Sequence, residues 1–479
     1  MSAPVRPGIE FEGTPAVRPD TPHAWWTLQR AAHALGDLLL TGPRLDHRRL
    51  AGVATDTRTM PHGALFVALR GERFDAHDLL GQAREAGAAA VVVDDPERAI
   101  GLGVPVLVVR DTRAALGRLA RGWRRAWGGT VVAVGGSNGK TSTKELLRAA
   151  LGSRLAVHAT RANENNLVGV PLTLLAVPPH AQVAVVEVGT NAPGEIEALR
   201  TICEPDVTLV TSLGEEHLEG LGDLAGVLRE EAAIFPGASL ALVPAIEPAL
   251  GQAATLAGVR VLRVGLDDGD LRADRWALDD EGRVELTVDG CSTRLPLRGA
   301  HQGANAMLAI AAARALGVPL DAAMDGMARM PVPHMRGEWL ALGSLTVLND
   351  AYNANPPSMR AALALLRTVA AGRPTVAVLG TMRELGAQSA ALHDAIARDA
   401  LTPPAGAGGV DHIVAVGEFA DAFARVAPGA AQVHAVPTVD DAWAVLAPVL
   451  PRNAVLLLKG SRGVRLERLL PHLTSWATS

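Results

Sequence analysis

The chain of 479 residues has few cysteines, few lysines and no long apolar run. Its two cysteines, Cys203 and Cys291, provide neither a disulfide framework nor a metal cluster, and we expect both to be small core residues. No apolar run reaches the roughly 18–20 residues of a membrane span, and the N-terminus lacks the layout of a signal peptide. The net charge of −5, without a basic block, argues against binding to nucleic acid. These absences predict a cytoplasmic protein without membrane insertion.

Lysine is rare in a way that is informative. Among 45 basic residues only Lys140, Lys144 and Lys459 are lysines, which is typical of a GC-rich coding bias. A position that keeps lysine against this bias is a candidate for a compact ammonium that guanidinium cannot replace. Lys140 and Lys459 lie in motifs with predicted functions. Lys144 is expected on the exposed side of a helix, where lysine would be there by chance.

The order of apolar runs predicts an α/β protein with three domains and, by default, a monomer. Residues 1–20 are predicted to form a flexible tail, and residues 21–109 are predicted to form a small α/β domain. Residues 110–330 predict a mostly parallel sheet covered by helices on both faces, because continuous apolar strands alternate with helices. Its strands are expected at 130–134, 154–159, 183–188, 207–211, 239–244 and 259–264, followed by antiparallel strands within 270–298.

Residues 330–334 are predicted to form a linker. After it, residues 331–479 predict a second sheet of the dinucleotide-binding, Rossmann-like type. Its strands are expected near 344–349, 374–379, 411–416, 432–436 and 453–458.

The most specific motif is a glycine turn between an apolar strand and a helix. Such a turn directs backbone N–H groups and a helix N-terminus toward a polyphosphate, while Lys140 adds a point charge and the Thr141 hydroxyl can reach Mg²⁺. A full Walker A motif has glycine where Val134 stands, so an ordinary turn is the alternative. The residues predicted to bind nucleotide here are Gly136, Ser137, Asn138, Gly139, Lys140, Thr141 and Ser142.

Three polar clusters follow other strands of this sheet, at the edge where open α/β sheets bind ligands. Asn165 and Asn166 predict a loop that grips substrate, with a polar turn as the alternative. Glu187 ends an apolar strand, where a carboxylate is costly unless it binds a metal or pairs with an arginine. His217 follows the next strand, although a lone histidine is more often a surface or core residue.

A fourth cluster, residues 349–356, lies in the last domain and contains Tyr352, the only tyrosine of the chain. The side chains of Asp350, Asn353 and Asn355 could orient an amine or an amide-rich substrate. The alternative is a turn that caps a helix beginning near Pro356.

Together these motifs resemble the Mur ligases of peptidoglycan synthesis, over about residues 21–479. The resemblance implies that Glu187, His217 and Thr141 bind two Mg²⁺ ions, and that Lys140, Glu187 and His217 are catalytic. It also implies that Asn305 and Arg336 contact ATP. The N-terminal residues that match the portion of the family holding a UDP moiety are Asp56, Thr57, Arg58 and Arg70.

The resemblance implies ATP-dependent amide formation. A peptide carboxylate attacks the γ-phosphoryl group of ATP, and an amine then displaces phosphate from the acyl phosphate. Residues 350–356, 380–386 and 459–462 are similar to the C-terminal signatures of the family member that joins D-alanyl-D-alanine to a UDP-N-acetylmuramoyl-tripeptide. The residues that would bind these substrates are Asp350, Tyr352, Asn353, Asn355, Lys459 and Ser461, with Asn165 and Asn166.

The chain departs from the family at one position. The family usually has a carbamylated lysine fourteen residues after the metal-binding histidine, and here that position is Glu231. We expect no carbamylated lysine, and we hypothesise that Glu231 is a catalytic metal ligand that supplies the same negative charge. Its carboxyl carbon lies about 3–4 Å closer to the backbone, so a bridging water or a shifted helix would be needed. The alternative is a solvated helix residue.

Two other functions stay open at this point. One is a different amino-acid ligase of the family, such as the enzyme that adds the third residue, or a folylpolyglutamate synthetase. The other is a nucleotide-binding scaffold without catalysis, which the missing lysine suggests.

Overall fold

The computed structural model describes residues 25–36, 39–41, 47–71, 74–402 and 408–478. The predicted flexible tail, residues 1–20, lies outside the described residues. Strands of the described part form four sheets, three of them parallel or mostly parallel with helices packed on them. The predicted α/β class is therefore confirmed. No helix within these ranges is long and apolar enough to span a lipid bilayer.

The N-terminal sheet consists of β1 (Leu39–Thr41), β2 (Val53–Ala54), β3 (Leu65–Val67), β4 (Ala90–Val93) and β5 (Val106–Val108). The strand order is β1-β5-β4-β3-β2, and β1 runs antiparallel to β5. The helices are α1 (Leu28–Leu35), α2 (Leu80–Glu85) and α3 (Thr112–Trp127). Helix α3 begins where the Asp111 carboxylate accepts a hydrogen bond from Ala114 N, and it ends at Gly128, which has a left-handed conformation.

The middle sheet contains β6 (Thr130–Gly135), β7 (Val157–Ala159), β8 (Val183–Glu187), β9 (Val207–Val210), β10 (Leu240–Pro244) and β11 (Arg260–Val264). All six are parallel, in the order β11-β10-β9-β6-β8-β7, and each matches a predicted strand. The chain runs from β6 to β7 and β8 on one side and to β9 on the other. The carboxyl end of β6 is thus a topological switch point, where a ligand-binding crevice opens.

Helices cover both faces of this sheet. They are α4 (Lys140–Gly152), α5 (Gly169–Leu175), α6 (Glu195–Cys203), α7 (Leu218–Leu221), α8 (Leu224–Ala232) and α9 (Pro248–Leu256). An antiparallel sheet follows, as predicted, with β12 (Arg275–Leu278), β13 (Arg283–Val288) and β14 (Cys291–Arg298). Helices α10 (Ala300–Ala315) and α11 (Leu320–Ala328) then pack against α4.

The C-terminal sheet contains β15 (Glu338–Leu342), β16 (Leu345–Asp350), β17 (Thr375–Gly380), β18 (His412–Val416), β19 (Val433–Val436) and β20 (Val455–Lys459). Its order is β15-β16-β20-β17-β18-β19, and β15, which the sequence did not predict, pairs antiparallel with β16. The helices are α12 (Pro356–Ala370), α13 (Ser389–Leu401), α14 (Glu418–Val426), α15 (Val439–Leu446) and α16 (Leu470–Thr478).

The two cysteines differ in their surroundings. Cys203 is fully buried at the end of α6, and burial raises the pKa of its thiol to about 12. Cys291 begins β14 and is only half-buried. The expectation of two core cysteines is therefore confirmed for Cys203, whereas Cys291 is partly buried and packs against the core.

Candidate active site

A cavity of about 430 Å³ lies where the carboxyl ends of the middle and C-terminal sheets face each other. Its middle wall is formed by the phosphate loop, residues 135–140, and by the ends of β8 and β9. Its C-terminal wall is formed by the ends of β16 and β20 and by α12. The predicted site residues that line it are Ser137, Asn138, Gly139, Lys140, Thr141, Ser142, Asn165, Asn166, Glu187, His217, Arg336, Asp350, Tyr352, Asn353 and Lys459.

Two glycines of the phosphate loop are required by backbone geometry. Gly136 has a φ of +112° and Gly139 a φ of +86°. A Cβ atom would lie 2.4 Å from Thr211 Oγ1 at the first position and 2.7 Å from Asn305 Oδ1 at the second. Val134, where a full Walker A motif has glycine, is fully buried in β6. The shortened motif therefore still forms the loop, because the missing glycine belongs to the strand.

Lys140 concentrates positive charge at this loop. Its Nζ atom donates to the Gly136 carbonyl oxygen and lies 3.6 Å from Glu216 Oε1. Burial disfavours the charged amine, but the carboxylates of Glu216, Glu231 and Glu187 outweigh it and raise the pKa of Lys140. Helix α4 begins at Lys140, so its N-terminal dipole adds to a site that suits a polyphosphate.

Glu187 ends β8 inside the cavity and is 1% exposed. Its Oε1 atom accepts hydrogen bonds from Thr141 Oγ1 and from Asn165 Nδ2, both at 3.1 Å. Its Oε2 atom is buried and accepts no hydrogen bond. The carboxylate is thus held in place beside the phosphate loop, with one oxygen that accepts no hydrogen bond.

Lys144 is the charged partner of Glu187, and the expectation that it is exposed is wrong. Its Nζ atom lies 3.6 Å from Glu187 Oε2 and donates to the Ala162 carbonyl at 3.0 Å. The side chain is 1% exposed, because one helical turn after Lys140 it points under the loop that carries Asn165. The predicted alternative for Glu187, a pair with arginine, is replaced by a pair with lysine.

His217 lies between two carboxylates at the entrance of α7. Its Nδ1 atom is 2.5 Å from Glu384 Oε2, and its Nε2 atom is 3.8 Å from Glu216 Oε2. Burial disfavours the imidazolium, but Glu384 and Glu216 outweigh this effect and raise the pKa of His217. The histidine is therefore a partly buried site residue that contacts the C-terminal domain.

Glu231 is a predicted site residue that the structure does not bring to the cavity. It is fully buried under the phosphate loop, where its Oε2 atom accepts a hydrogen bond from Gly136 N at 2.7 Å. Burial raises the pKa of Glu231 to about 7, although Lys140 opposes this shift. The alternative of a solvated helix residue is wrong. The placement also disagrees with direct metal ligation, because the carboxylate faces the loop backbone rather than the cavity.

Asn305 is also absent from the cavity lining. It is buried in α10, next to Gly139, and its Nδ2 atom donates to Gln302 Oε1 at 3.1 Å. The neighbouring side chains of His301 and Gln302 line the cavity instead. The predicted contact of Asn305 with a nucleotide base remains a prediction.

The C-terminal wall is held together by an ion pair and a cation–π contact. Register pairs Asp350 with Lys459, and Asp350 Oδ2 lies 2.7 Å from Lys459 Nζ. The same ammonium donates to the Asn353 carbonyl oxygen at 2.8 Å. The Arg336 guanidinium lies 4.0 Å from the centre of the Tyr352 ring. Five predicted residues of this wall thus take part in contacts within the wall and also line the cavity.

Two predicted substrate residues of this domain, Asn355 and Ser461, do not line the cavity and have structural partners instead. Asn355 caps α12: its Oδ1 atom accepts a hydrogen bond from Ser358 N at 3.1 Å. The Ser358 hydroxyl in turn accepts one from Asn355 N at 3.0 Å. This capping box is the predicted alternative, which is confirmed for Asn355. Ser461 Oγ accepts a hydrogen bond from Arg383 N at 2.9 Å.

The N-terminal candidates lie away from this cavity, in their own domain. Arg58 and Asp56 form an ion pair of 2.6 Å, and hydrogen bonds from Arg58 lower the pKa of Asp56 to about 2. Thr57 lies between them in the turn. Arg70 pairs with Asp94 at 2.9 Å. None of these four residues lines the cavity that contains the phosphate loop.

Three site residues were missed by the sequence analysis. Glu216 is buried beside Lys140, Lys144 pairs with Glu187, and Glu384 contacts His217. The rarity of lysine was a usable signal for Lys144. Glu384 lies in the signature segment 380–386, but no role was assigned to it from the sequence, because its partner His217 comes from another domain.

Family models match three consecutive parts of the chain. They are described as the Mur ligase family catalytic domain (residues 49–124), the Mur ligase middle domain (134–313) and the Mur ligase glutamate ligase domain (335–462). A Bacillus subtilis protein named UDP-N-acetylmuramoyl-tripeptide--D-alanyl-D-alanine ligase is 34% identical, covering 91% of this chain and 95% of that one. An Escherichia coli protein of the same name is 36% identical, with 88% and 93% covered.

Solved structures agree with these matches. MurF from Acinetobacter baumannii superposes with a TM-score of 0.84 at 32% identity, covering 96% of this chain and 100% of that one. The MurF ligase from Thermotoga maritima in complex with ADP gives 0.76 at 25% identity, with 89% and 98% covered. With relatives above 30% identity that are covered almost completely, this chain belongs to the Mur ligase family.

Proposed function

We propose that the protein is an ATP-dependent ligase that joins D-alanyl-D-alanine to UDP-N-acetylmuramoyl-tripeptide. The observation that carries this proposal is the shared cavity: a phosphate loop forms one wall, and Asp350, Tyr352, Asn353 and Lys459 form the other. The names of the relatives agree with this reading.

The chemistry follows from the charges of the two walls. The tripeptide carboxylate attacks the γ-phosphorus of ATP, which releases ADP and gives an acyl phosphate. The dipeptide amine then attacks the acyl carbon, phosphate leaves, and the nitrogen loses a proton. Lys140 and the N-terminus of α4 stabilise the negative charge of the transferring phosphoryl group. Closure of the cavity between two domains keeps water from the acyl phosphate.

Mg²⁺ fits the middle wall. Within the described residues, no three His, Cys, Asp or Glu side chains converge on one metal position. Mg²⁺ does not need such a cluster, because it keeps several waters and binds one or two carboxylates together with substrate phosphates. The Glu187 carboxylate, whose Oε2 atom accepts no hydrogen bond, and the hydroxyl of Thr141 are the oxygen ligands that would hold it. When bound, the ion neutralises charge on the phosphoryl oxygens.

His217 would stand beside such an ion as a further ligand, as the sequence analysis predicts. We propose that Glu231 acts on the phosphate loop instead, through its hydrogen bond with Gly136 N. The number of ions, two by resemblance, stays a prediction. No lysine lies near Glu231 in the sequence, so the reaction is proposed to proceed without a carbamate.

The remaining assignments rest on the resemblance and on position. Asp56, Thr57, Arg58 and Arg70 are proposed to bind the UDP portion in the N-terminal domain. Asn165 and Asn166 line the cavity between the phosphate loop and Glu187 and are proposed to contact the acceptor peptide. We further propose a cytoplasmic location, where ATP and UDP-linked precursors are available, and keep the monomer as the expectation from the sequence.

A coupled phosphate-release assay tests this function. We expect phosphate only when ATP, a UDP-N-acetylmuramoyl-tripeptide and D-alanyl-D-alanine are all present, with one pentapeptide formed per phosphate. Release with single amino acids in place of the dipeptide would indicate another ligase of the family. Binding of ATP without release, with all substrates present, would indicate a scaffold protein.

A further inference from the structure

A loop of the C-terminal domain reaches across to the middle domain at His217. Glu384 Oε2 lies 2.5 Å from His217 Nδ1, and the Glu384 carbonyl oxygen accepts a hydrogen bond from Glu219 N at 3.1 Å. Two residues farther on, a Cβ atom on Gly386 would lie 3.1 Å from Glu219 Cα. One glutamate therefore contacts the middle domain through both its side chain and its backbone.

The backbone on both sides of this contact is in an uncommon conformation. His217 has a φ of +51° and Glu384 a φ of +66°, which is the left-handed region that residues other than glycine rarely adopt. Such conformations persist where the surrounding structure fixes them, and they cluster at functional sites. The contact is thus built by two strained residues that meet across a domain boundary.

The contact continues toward the phosphate loop. His217 Nε2 lies 3.8 Å from Glu216 Oε2, and Glu216 Oε1 lies 3.6 Å from Lys140 Nζ. Glu216 is 6% exposed, so solvent screens this part of the chain of charges only weakly. Four charged side chains, Glu384, His217, Glu216 and Lys140, therefore connect the C-terminal domain with the residue that faces the polyphosphate.

The partner of one imidazole nitrogen determines the orientation of the ring and the role of the other nitrogen. When Nδ1 of His217 donates to Glu384, Nε2 is directed to Glu216 and the cavity. If the C-terminal domain moves away, Nδ1 loses this acceptor and the ring is free to turn.

We propose that Glu384 is a positioning residue that couples docking of the C-terminal domain to the orientation of His217. His217 presents Nε2 to the phosphate side of the cavity when the C-terminal domain is docked, and loses this orientation when it is not. The proposal rests on the proposed function for its kinetic effect, but the coupling itself concerns nucleotide binding and domain docking. As a plain ion pair the contact would matter little, because the Glu384 side chain is 55% exposed.

The test compares Glu384→Ala and Glu384→Gln with two controls. Gln388→Ala removes another contact of the same interface, the hydrogen bond from Gln388 Nε2 to the Gly222 carbonyl at 3.1 Å. Asp421→Asn removes an exposed carboxylate elsewhere in the C-terminal domain. The readouts are ligation kcat, the Mg²⁺ concentration that half-saturates ADP binding by calorimetry, and the radius of gyration by small-angle scattering with Mg²⁺ and ADP.

We expect Glu384→Ala to lower kcat and to raise the half-saturating Mg²⁺ concentration by about 10–100-fold each, with a more open molecule in scattering. Glu384→Gln should keep kcat and the half-saturating Mg²⁺ concentration close to those of the unmodified protein, because the amide oxygen still accepts the hydrogen bond from His217 Nδ1–H. Asp421→Asn should match the unmodified protein, and Gln388→Ala should have a smaller effect than Glu384→Ala.

Equal effects of Gln388→Ala and Glu384→Ala would overturn the proposal, since the glutamate would then serve only as an interface contact. Unchanged Mg²⁺ dependence in Glu384→Ala would overturn it as well. If the unmodified protein forms no pentapeptide, the proposed function fails, whereas the ADP-binding and scattering measurements still decide the role of Glu384.

Discussion

The two walls of the cavity satisfy their polar groups in different ways. The C-terminal wall is paired within itself: Asp350 holds Lys459, and Arg336 stacks on Tyr352. The middle wall keeps buried side-chain atoms without a hydrogen bond, among them Asn138 Nδ2 and Glu187 Oε2. Buried polar atoms are costly to leave unpaired, so the middle wall is poised for a ligand that supplies the missing partners. A substrate of the C-terminal wall must instead compete with contacts that already exist.

The largest effect on stability is expected from Lys144, the buried cation of the middle wall. Lys144→Met removes an ammonium that faces both Glu145 and Glu187, and only the buried Glu187 carboxylate is left without its cation, because Glu145 keeps Arg148. Breaking a buried pair in this way costs about 3–5 kcal/mol. We expect the free energy of unfolding, measured by chemical denaturation, to fall by this amount.

A matched control lies one turn farther along α4. Arg148 pairs with Glu145 at 2.7 Å but is 44% exposed, and Arg148→Met should cost less than about 1 kcal/mol. Equal losses in the two variants would mean that Lys144 contributes no more than a surface charge.

Lys140→Met should affect turnover more than Lys144→Met does, although both residues lie on one helix. Lys140 lines the cavity and faces the phosphoryl group in the proposed reaction, whereas Lys144 does not line it. Loss of one preorganised donor at such a site lowers kcat by about 10²–10³-fold. Single-turnover ligation measures the effect. A loss of kcat below tenfold would contradict the proposed position of the phosphoryl group beside Lys140.

The fold was predictable because most of its strands are continuous apolar runs. Four strands of the middle sheet, β6, β8, β9 and β10, are almost completely buried runs rich in Val, Leu and Ala, and the glycine turn identified the edge that binds ligands. Strand β15 was not predicted, and Trp339 and its neighbours are only half-buried. Partial burial alone does not explain the omission, because β7 and β11 were located although they are also only partly buried.

The site was harder to predict than the fold. Lys140 and Glu187 follow strands directly, so their place at the sheet edge follows from the topology. Glu231 and Glu384 depend on partners that are distant in sequence, namely the backbone of the phosphate loop and a histidine of another domain. Residue type and spacing do not reveal such partners.

Glu231 provides a pH-dependent test of the middle wall. Below about pH 4.5, its ordinary value, the carboxyl is neutral whether the chain is folded or unfolded. Above that pH the unfolded chain ionises first, because burial raises the pKa in the folded protein to about 7, so stability falls as pH rises. Glu231→Gln removes the cost of burying an ionised carboxylate. The variant should be more stable than the unmodified protein by about 3 kcal/mol at pH 8, with little change at pH 4.5. Denaturation curves at both pH values measure it, and a variant less stable at pH 8 would contradict it.

The smallest expected effects are those of replacing two asparagines of the C-terminal wall, Asn353 and Asn355. Asn355 caps α12 and Asn353 lines the cavity, so their replacement should act on different quantities. Asn355→Ala should cost about 1 kcal/mol of stability and leave the KM for D-alanyl-D-alanine unchanged, because the lost hydrogen bonds belong to the helix end. Asn353→Ala should raise that KM without a comparable loss of stability. If Asn355→Ala raised the KM while the melting temperature stayed constant, the amide would contact substrate after all, and the C-terminal wall would have to open on binding.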